Sequence, residues 1–159
     1  MTITVRAAGL TDAPALALLR WRWRSERGET GLHREQFVDA FVAWMSEHKE
    51  SHLAWLAEAD QVPVGMAWLA VIHRIPGPGH WLRLSGNLQS VYVVPERRKA
   101  GIGELLVRAV VGRAQSLGLE YMSVHPSERS FSLYRRLGFL ESSGVLELRG
   151  DGLTPRPIS

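Results

Sequence analysis

The stretch VYVVPERRKAGIGELLVRAV, residues 91–110, constrains the fold more than any other part of the chain. It passes from an apolar β-branched run, through three consecutive cations, to an apolar pattern with helical spacing that opens at Gly101 and Gly103. This order predicts a strand, a glycine-containing turn and then the start of a helix. Pro95 ends the strand, because proline donates no hydrogen bond to a neighbouring strand.

The junction between this strand and this helix has two interpretations. The unpaired amides at a helix start carry partial positive charge and glycines let a ligand approach them, so the arrangement suits an anion. The same glycine pair also marks a tight turn that binds nothing. The segment lacks both the GK[ST] ending of a nucleoside triphosphate loop and a full GxGxxG dinucleotide pattern. From these residues alone, the turn and the anion site both stay open.

The remaining patterns predict an α+β fold in one domain over residues 1–150, with a C-terminal tail at 151–159. Strand-like runs are ITVR, SHLAWLAEA, PVGMAWLAVI, NLQSVYVV and LEYMSV, with two further short strands in FLESSGVLEL. A helix over residues 102–117 separates NLQSVYVV from LEYMSV, and this spacing predicts a parallel pair. We therefore expect a central mixed sheet of six or seven strands, flanked by about four helices.

Composition excludes several classes of function. The chain has no cysteine, which rules out disulfides, thiolate metal sites and a cysteine nucleophile. Its six histidines show no metal-ligand spacing, so we predict no metal. No apolar run approaches the roughly 20 residues of a membrane span, and the N-terminus does not resemble a signal peptide. We therefore expect a cytoplasmic protein with no membrane partner.

The segment RWRWR, residues 20–24, interleaves cations and aromatic rings in the manner of a nucleic-acid-binding surface. On a helix, however, Trp21 and Trp23 point about 200° apart and cannot share one face. The net charge of +3 is also small, and no nucleic-acid-binding motif is present. We expect the tryptophans to pack on the core, the arginines to be solvated, and no nucleic-acid partner.

The segment RKAGIG resembles the signature of the GCN5-related N-acetyltransferase (GNAT) superfamily: Gln or Arg, two residues, Gly, one residue, then Gly or Ala. Arg98, Gly101 and Gly103 occupy those positions. The preceding VYVVPERR, the later LYRRLGF and the order of elements also fit, so the resemblance covers nearly the whole chain. It implies transfer of the acetyl group of acetyl-coenzyme A to a primary amine, by direct attack in a ternary complex.

The same resemblance implies where acetyl-coenzyme A binds. The pantetheine would lie in a slot beside the strand and pair with the backbone along Val91, Tyr92 and Val93. Ser127 stands where many relatives have an asparagine that contacts the pantetheine, and serine can also donate and accept. The pyrophosphate would be held by the loop residues Arg98, Lys99, Ala100, Gly101, Ile102, Gly103 and Glu104.

Two residues are candidates for proton transfer. Tyr134 in LYRRLGF matches the tyrosine that protonates the departing thiolate in many family members, and a phenol with a pKa of about 10 is protonated at neutral pH. The alternative is a core aromatic that packs beside its leucine neighbours. His125 is the candidate base for the amine, with a structural hydrogen bond at a strand end as the alternative. Further candidates for a relay through water lie on or near the central strands: Glu58, Asn87 and Gln89.

The acceptor of the acetyl group is open at this stage: a small amine, an antibiotic or a peptide terminus. The resemblance places its pocket between ERGETGLHRE and RIPGPGHWLRLSG, where Glu26, Glu29 and Glu35 would attract a cationic amine and Trp81 would pack on it. The alternative function is a non-catalytic acyl-CoA-binding or sensing module that keeps the phosphate loop without turnover. We also expect a homodimer, because VLEL and the tryptophan-bearing helices offer apolar area.

Overall fold

The computed structural model of this chain describes residues 1–142 and 144–150. Backbone contacts divide the chain into two compact units, Met1–His125 and Pro126–Ser159. The first unit contains the whole sheet and three of the helices. The predicted tail, residues 151–159, lies outside the described residues.

The first unit has five strands and three helices in a mixed order. Two helices follow the first strand, and the third helix connects the last two strands. In chain order these elements are β1 (Ile3–Ala7), α1 (Ala13–Glu26), α2 (Arg34–Glu47), β2 (His52–Ala59), β3 (Val62–Arg74), β4 (Arg83–Val93), α3 (Ile102–Leu117) and β5 (Met122–Val124).

The strands lie side by side in the order of the chain, from β1 to β5. All neighbours are antiparallel except β4 and β5, which are parallel. The predicted parallel pair and the mixed sheet are therefore confirmed. The tight connection between β2 and β3 is made by Asp60 and Gln61, both in the left-handed region at φ 47° and 67°. Two such residues match the turn whose twist suits a β-hairpin.

The helices of this unit cover both faces of the sheet. The Phe41 ring of α2 meets the Trp68 ring of β3 edge-on, with centroids 5.7 Å apart. On the other face, a Cβ added at Gly65 would lie 3.2 Å from Leu106 of α3. Side chains alternate along a strand, so α2 lies on the face of Trp68 and α3 lies on the opposite face. Core residues such as Leu16, Met66, Leu69 and Val107 are fully buried between these layers.

The second unit contains a 3-10 turn, Glu128–Ser130, and the short helix α4, Phe131–Arg136. The prediction of two more strands in FLESSGVLEL is wrong for the described residues, so the described sheet has five strands rather than six or seven. Leu140 and Leu146 are 90% and 99% exposed there. An apolar alternation forms a stable strand only where a partner strand and a buried face exist, and neither is found in this described segment.

Candidate functional site

The parallel contact between β4 and β5 is short. It joins Gly86 to Met122, Asn87 to Ser123 and Leu88 to Val124, and there β5 ends. β4 continues for five more residues, to Val93. Among the described residues, therefore, no strand lies beside 89–93 on the β5 side, which leaves backbone groups along that edge available to an extended ligand.

A β-bulge lies where β4 leaves β5. Trp68 pairs with Gln89 and Met66 pairs with Tyr92, so two residues of β4 oppose one residue of β3. Ser90, inside the bulge, has a left-handed φ of 52°. A bulge bends its strand and increases the local twist, and this one lies where the pairing of β4 with β5 ends. The unpaired edge at 89–93 is thus built into the sheet.

The side chain of Tyr92 faces α1. Its ring stacks on Trp23 with centroids 5.5 Å apart, and its hydroxyl donates to Glu26 Oε1 at 2.8 Å. Burial, together with this bond to a carboxylate, raises the pKa of Tyr92 to about 12. Tyr92 is only 3% exposed, so its contribution to an extended ligand is limited to its backbone. Val91 and Val93 beside it are half-buried.

After β4 the chain makes a 3-10 turn, Pro95–Arg97, and then passes through two left-handed residues, Lys99 at φ 62° and Gly101 at φ 79°. Helix α3 starts at Ile102, and the Leu105 amide donates to the Gly101 carbonyl at 3.1 Å. The residue before this helix, Gly101, has no side chain that could cap it. The amides of the first turn therefore have no intrahelical acceptor and are directed at whatever lies before the helix.

Arg98 ties this loop to the end of β4. Its Nε donates to the Val93 carbonyl at 2.9 Å, and its guanidinium carbon lies 5.7 Å from the centre of the Tyr92 ring. Its Nη2 also lies 3.9 Å from Glu26 Oε2. Arg98 thus fixes the loop conformation, whereas Lys99 is exposed and carries its charge into solvent.

A row of hydrogen-bonded polar side chains joins β4 to β5 beside the start of the unpaired edge. Gln89 donates to Asn87 Oδ1 at 2.8 Å, and Asn87 donates to Ser123 Oγ at 3.0 Å. His125, one residue after β5, is exposed. Glu58, the other residue predicted to relay protons, accepts from Arg6 at 2.8 Å near the β1 edge and has no part in this row.

In the second unit, the Ser127 hydroxyl lies 2.9 Å from the Ser130 hydroxyl, across the 3-10 turn. Tyr134 in α4 is 5% exposed, and Phe139 meets its ring edge-on with centroids 5.4 Å apart. Burial raises the pKa of Tyr134 above that of a free phenol. The phenol is therefore protonated at neutral pH, as a proton donor must be.

The sequence analysis missed a pocket of about 290 Å³ on the α2 face of the sheet. Its residues are Arg20, Phe37, Phe41, Trp44, His52, Trp68, Gln89 and Ser90. The available signal was the helical spacing of Phe37, Phe41 and Trp44, which indicates an apolar helix face but not a pocket beside it. We refer to it below as the aromatic pocket. A larger hollow of about 520 Å³, near Ala7 and Arg113, shares only His52 with this pocket and contains none of the residues of the unpaired edge.

The acids expected to attract a cationic amine are engaged elsewhere. Glu26 accepts from Tyr92 and from Arg22, the latter at 3.2 Å, and Glu29 accepts from Arg24 at 2.7 Å. Glu35 lines a separate shallow depression beside Asp39. Trp81 is 81% exposed. None of these residues lines the aromatic pocket.

The described residues contain neither a metal-binding cluster nor a membrane-spanning helix. Across residues 1–142 and 144–150, no three His, Asp or Glu side chains are close enough together to hold a metal ion. No helix in the described part of the chain has the length and apolar character needed to cross a bilayer.

Solved structures share the fold of this chain. The chain aligns with a predicted acetyltransferase from Clostridium acetobutylicum, solved with acetyl-CoA, at a TM-score of 0.75 and 19% identity over 93% of this chain and 96% of that one. A GCN5-related N-acetyltransferase from Ralstonia eutropha JMP134 gives 0.70 and 24% identity over 93% and 99%. Glucosamine-6-phosphate N-acetyltransferase from Arabidopsis thaliana gives 0.71 and 16% over 95% and 100%.

The family follows from the sequence itself. Residues 15–139 match the model of the acetyltransferase (GNAT) family. This range includes most of α1, all of α2, the unpaired edge, the loop before α3 and Tyr134. The chain belongs to the GNAT family of acetyltransferases. A search of curated proteins finds no match to it.

Proposed function

We propose that this protein is an acetyl-CoA-dependent N-acetyltransferase that acts on a primary amine by direct attack in a ternary complex. The observation that supports it most is the unpaired β4 edge at 89–93, which leads directly into the uncapped start of α3. An extended, amide-containing chain that ends in a pyrophosphate would use both features at once. Acetyl-CoA has that chemistry.

The residues present fit this co-substrate. The backbone along Val91, Tyr92 and Val93 would pair with the pantetheine, while Arg98 holds the loop in place. The left-handed Lys99 and Gly101 bring the chain to the α3 start. The pyrophosphate would be held by the loop residues Arg98, Lys99, Ala100, Gly101, Ile102, Gly103 and Glu104. Hydrogen bonds to a charged group contribute about 1.5 to 3 kcal/mol each, more than the helix field of about 0.3 to 1 kcal/mol.

In the reaction, the amine nitrogen would attack the thioester carbonyl carbon, the C–S bond would break, and the thiolate would leave. We assign Tyr134 to donate the proton that the thiolate takes up. The amine must lose a proton, and His125 is our candidate to accept it, directly or through water. Ser127 is the remaining candidate contact of the pantetheine, through a hydroxyl that can donate and accept.

Two measurements test this function. Titration calorimetry with acetyl-CoA should show binding, and release of free thiol should then require an added primary amine. Saturable binding with no thiol release for any amine in a broad panel would favour the non-catalytic acyl-CoA-binding module. Absence of binding would contradict both functions.

A homodimer and a cytoplasmic location are further proposals from the sequence. Val145, Leu146 and Leu148 of VLEL are 70%, 99% and 68% exposed, which leaves apolar side chains for a partner copy to cover. Light scattering should give twice the chain mass, and a monomer mass at all concentrations would contradict the dimer.

A further inference from the structure

We propose that the aromatic pocket selects an acceptor that carries a flat apolar group and a carboxylate in addition to its amine, with the carboxylate held by Arg20. This inference rests on the proposed function, because that function makes the amine the group that reacts. An amino acid with an aromatic side chain is the simplest molecule of this class.

The position of the pocket connects it to the unpaired edge. Gln89 and Ser90 line the pocket and are also the first residues of β4 beyond its pairing with β5. A molecule in the pocket is therefore next to the strand segment that we assign to the pantetheine. The polar row through Asn87 continues from Gln89 toward β5.

The walls of the pocket are aromatic. Phe41 lies 5.6 Å from Phe37, 5.9 Å from Trp44 and 5.7 Å from Trp68 between ring centroids. The volume of about 290 Å³ is at the lower end for small-ligand pockets. Rings favour flat apolar partners in stacked or edge-on contact. These walls suit one ring or a branched apolar chain and offer little to a sugar.

Arg20 is the cation of this pocket. It donates to Ser90 Oγ at 3.0 Å, and its guanidinium carbon lies 5.1 Å from the centre of the Trp23 ring. No carboxylate of the described residues is within ion-pair distance of it. Glu29 is near enough to influence Arg20 electrostatically, but it bonds to Arg24. Burial lowers the pKa of Arg20, and it stays charged because a guanidinium keeps its proton.

The other two arginines of α1, Arg22 and Arg24, are paired with carboxylates. Arg22 makes two bonds to Glu96, at 3.0 and 2.7 Å, and Arg24 bonds to Glu29 at 2.7 Å. A half-buried cation without a counter-ion has an unfavourable desolvation term that an anionic ligand would offset. A guanidinium binds a carboxylate through two parallel hydrogen bonds. The pocket is lined by one arginine, Arg20, and by no acidic side chain. A ligand that complements this charge has a single negative group.

Binding and turnover are measured separately to test this inference. 3-Phenylpropanoate has the ring and the carboxylate but no amine, so calorimetry reports the pocket without any reaction. We expect it to bind the parent protein and to bind Arg20→Gln about ten- to a hundredfold more weakly. Arg20→Lys, which keeps the charge, should recover part of the affinity. Arg24→Gln, one turn along the same helix, should match the parent, and thermal melting confirms that each variant is folded.

Turnover then compares three amines by thiol release. Phenylalanine should give a kcat/KM at least about tenfold above that of phenethylamine, which lacks the carboxylate, and this ratio should collapse in Arg20→Gln. Phosphoethanolamine, which has an anion but no ring, should be the poorest of the three. Phenethylamine or phosphoethanolamine as the preferred acceptor would overturn the inference and leave the proposed function intact. Binding of 3-phenylpropanoate that depends on Arg20, without any turnover, would support the pocket and contradict the proposed function.

Discussion

The Tyr92 hydroxyl donates to Glu26 across 2.8 Å, which joins the last turn of α1 to β4 at its unpaired edge. The Tyr92 ring stacks on Trp23, one turn earlier in the same helix. Arg98, from the loop after β4, approaches both the Tyr92 ring and the Glu26 carboxylate. The shape of the unpaired edge and the shape of the loop before α3 therefore depend on the same contacts.

Loss of this hydroxyl should destabilise the protein. We expect Tyr92→Phe to lower the free energy of unfolding by about 1 to 2 kcal/mol, because a hydrogen bond to a charged group is lost while the ring stays in place. Urea unfolding measures this change in the free energy of unfolding. The matched change Glu96→Gln, which removes an exposed pair with Arg22, should lower the free energy of unfolding by less than Tyr92→Phe does. Equal effects of the two changes would contradict the role given to Tyr92.

Two glycines should respond to alanine with opposite signs. A Cβ at Gly86 would lie 2.7 Å from Leu119 Cδ1 and 2.8 Å from Leu69 Cδ1, so Gly86→Ala should cost about 1 to 3 kcal/mol. Gly112 lies within α3 and has no atom within 4 Å of an added Cβ. Gly112→Ala should stabilise the protein by about 0.5 to 1 kcal/mol through helix propensity. A neutral Gly86→Ala would show that Leu69 and Leu119 pack less closely on Gly86 than described.

His52 should make stability depend on pH. Burial, and then the charge of His48, lower the pKa of His52, so the unfolded chain binds the proton at a higher pH than the folded one. The free energy of unfolding that depends on neutral His52 is present above the unfolded pKa of about 6.5 and is lost as pH falls below it. Urea unfolding at about pH 7.5 and about pH 5.5 should show a larger loss in the parent than in His52→Gln.

The exposed residue His73 provides the control for this measurement. His73→Gln should keep the pH dependence of the parent, because it removes an exposed histidine and leaves His52 in place. Identical losses in the parent and in His52→Gln would contradict the role of His52.

The loop before α3 should fail to bind acetyl-CoA when it carries an added negative charge. Gly103→Asp places a carboxylate in the first turn of α3, where we assign the pyrophosphate, and like charges there repel. We expect the calorimetric affinity for acetyl-CoA to fall at least about tenfold. Gly112→Asp, in the second half of the same helix, tests the effect of the same change away from the site. Undiminished affinity in Gly103→Asp would remove the loop from the binding site.

Local sequence was sufficient for the parts of the fold that local chemistry controls. The helix over 102–117 was predicted within the bounds observed, because its apolar spacing, Gly101 before it and Gly118 after it all act within a few residues. The parallel pair followed from the length of the crossover. The prediction of two strands in FLESSGVLEL was wrong for the described residues, because an alternating pattern does not show whether a partner strand exists.

The features that define the pocket are long-range. The bulge at Ser90 depends on the register between β3 and β4, which the sequence of β4 alone does not reveal. The carboxylate partners of the arginines in RWRWR are also long-range. Arg22, for example, pairs with Glu96, which is 74 residues away in the sequence. Two of the acids expected to attract a cationic amine, Glu26 and Glu29, accept from a tyrosine and an arginine instead. The partner of Glu26 becomes visible only once α1 is packed on the sheet.

A mutation can separate the role that we propose for Tyr134 in the reaction from its role in packing. If its phenol donates the proton to the thiolate, Tyr134→Phe should keep its melting temperature and acetyl-CoA affinity while turnover falls about 10²- to 10⁴-fold. Tyr121→Phe, which removes a hydroxyl that accepts from Arg74 on a half-exposed tyrosine, should leave turnover unchanged. Turnover of Tyr134→Phe within a few-fold of the parent would return this residue to a packing role beside Phe139.

The central claim is that the acetyl group passes from acetyl-CoA directly to an amine, and counting both products of one reaction tests it most directly. Free thiol and N-acetylated amine should be measured in the same sample, with acetyl-CoA carrying an isotopic label in its acetyl group. The account predicts that thiol appears only when an amine is present, that thiol and labelled amide form in equal amounts, and that no label stays on the protein. Label on the protein, or bound acetyl-CoA that releases no thiol with any amine, would contradict it.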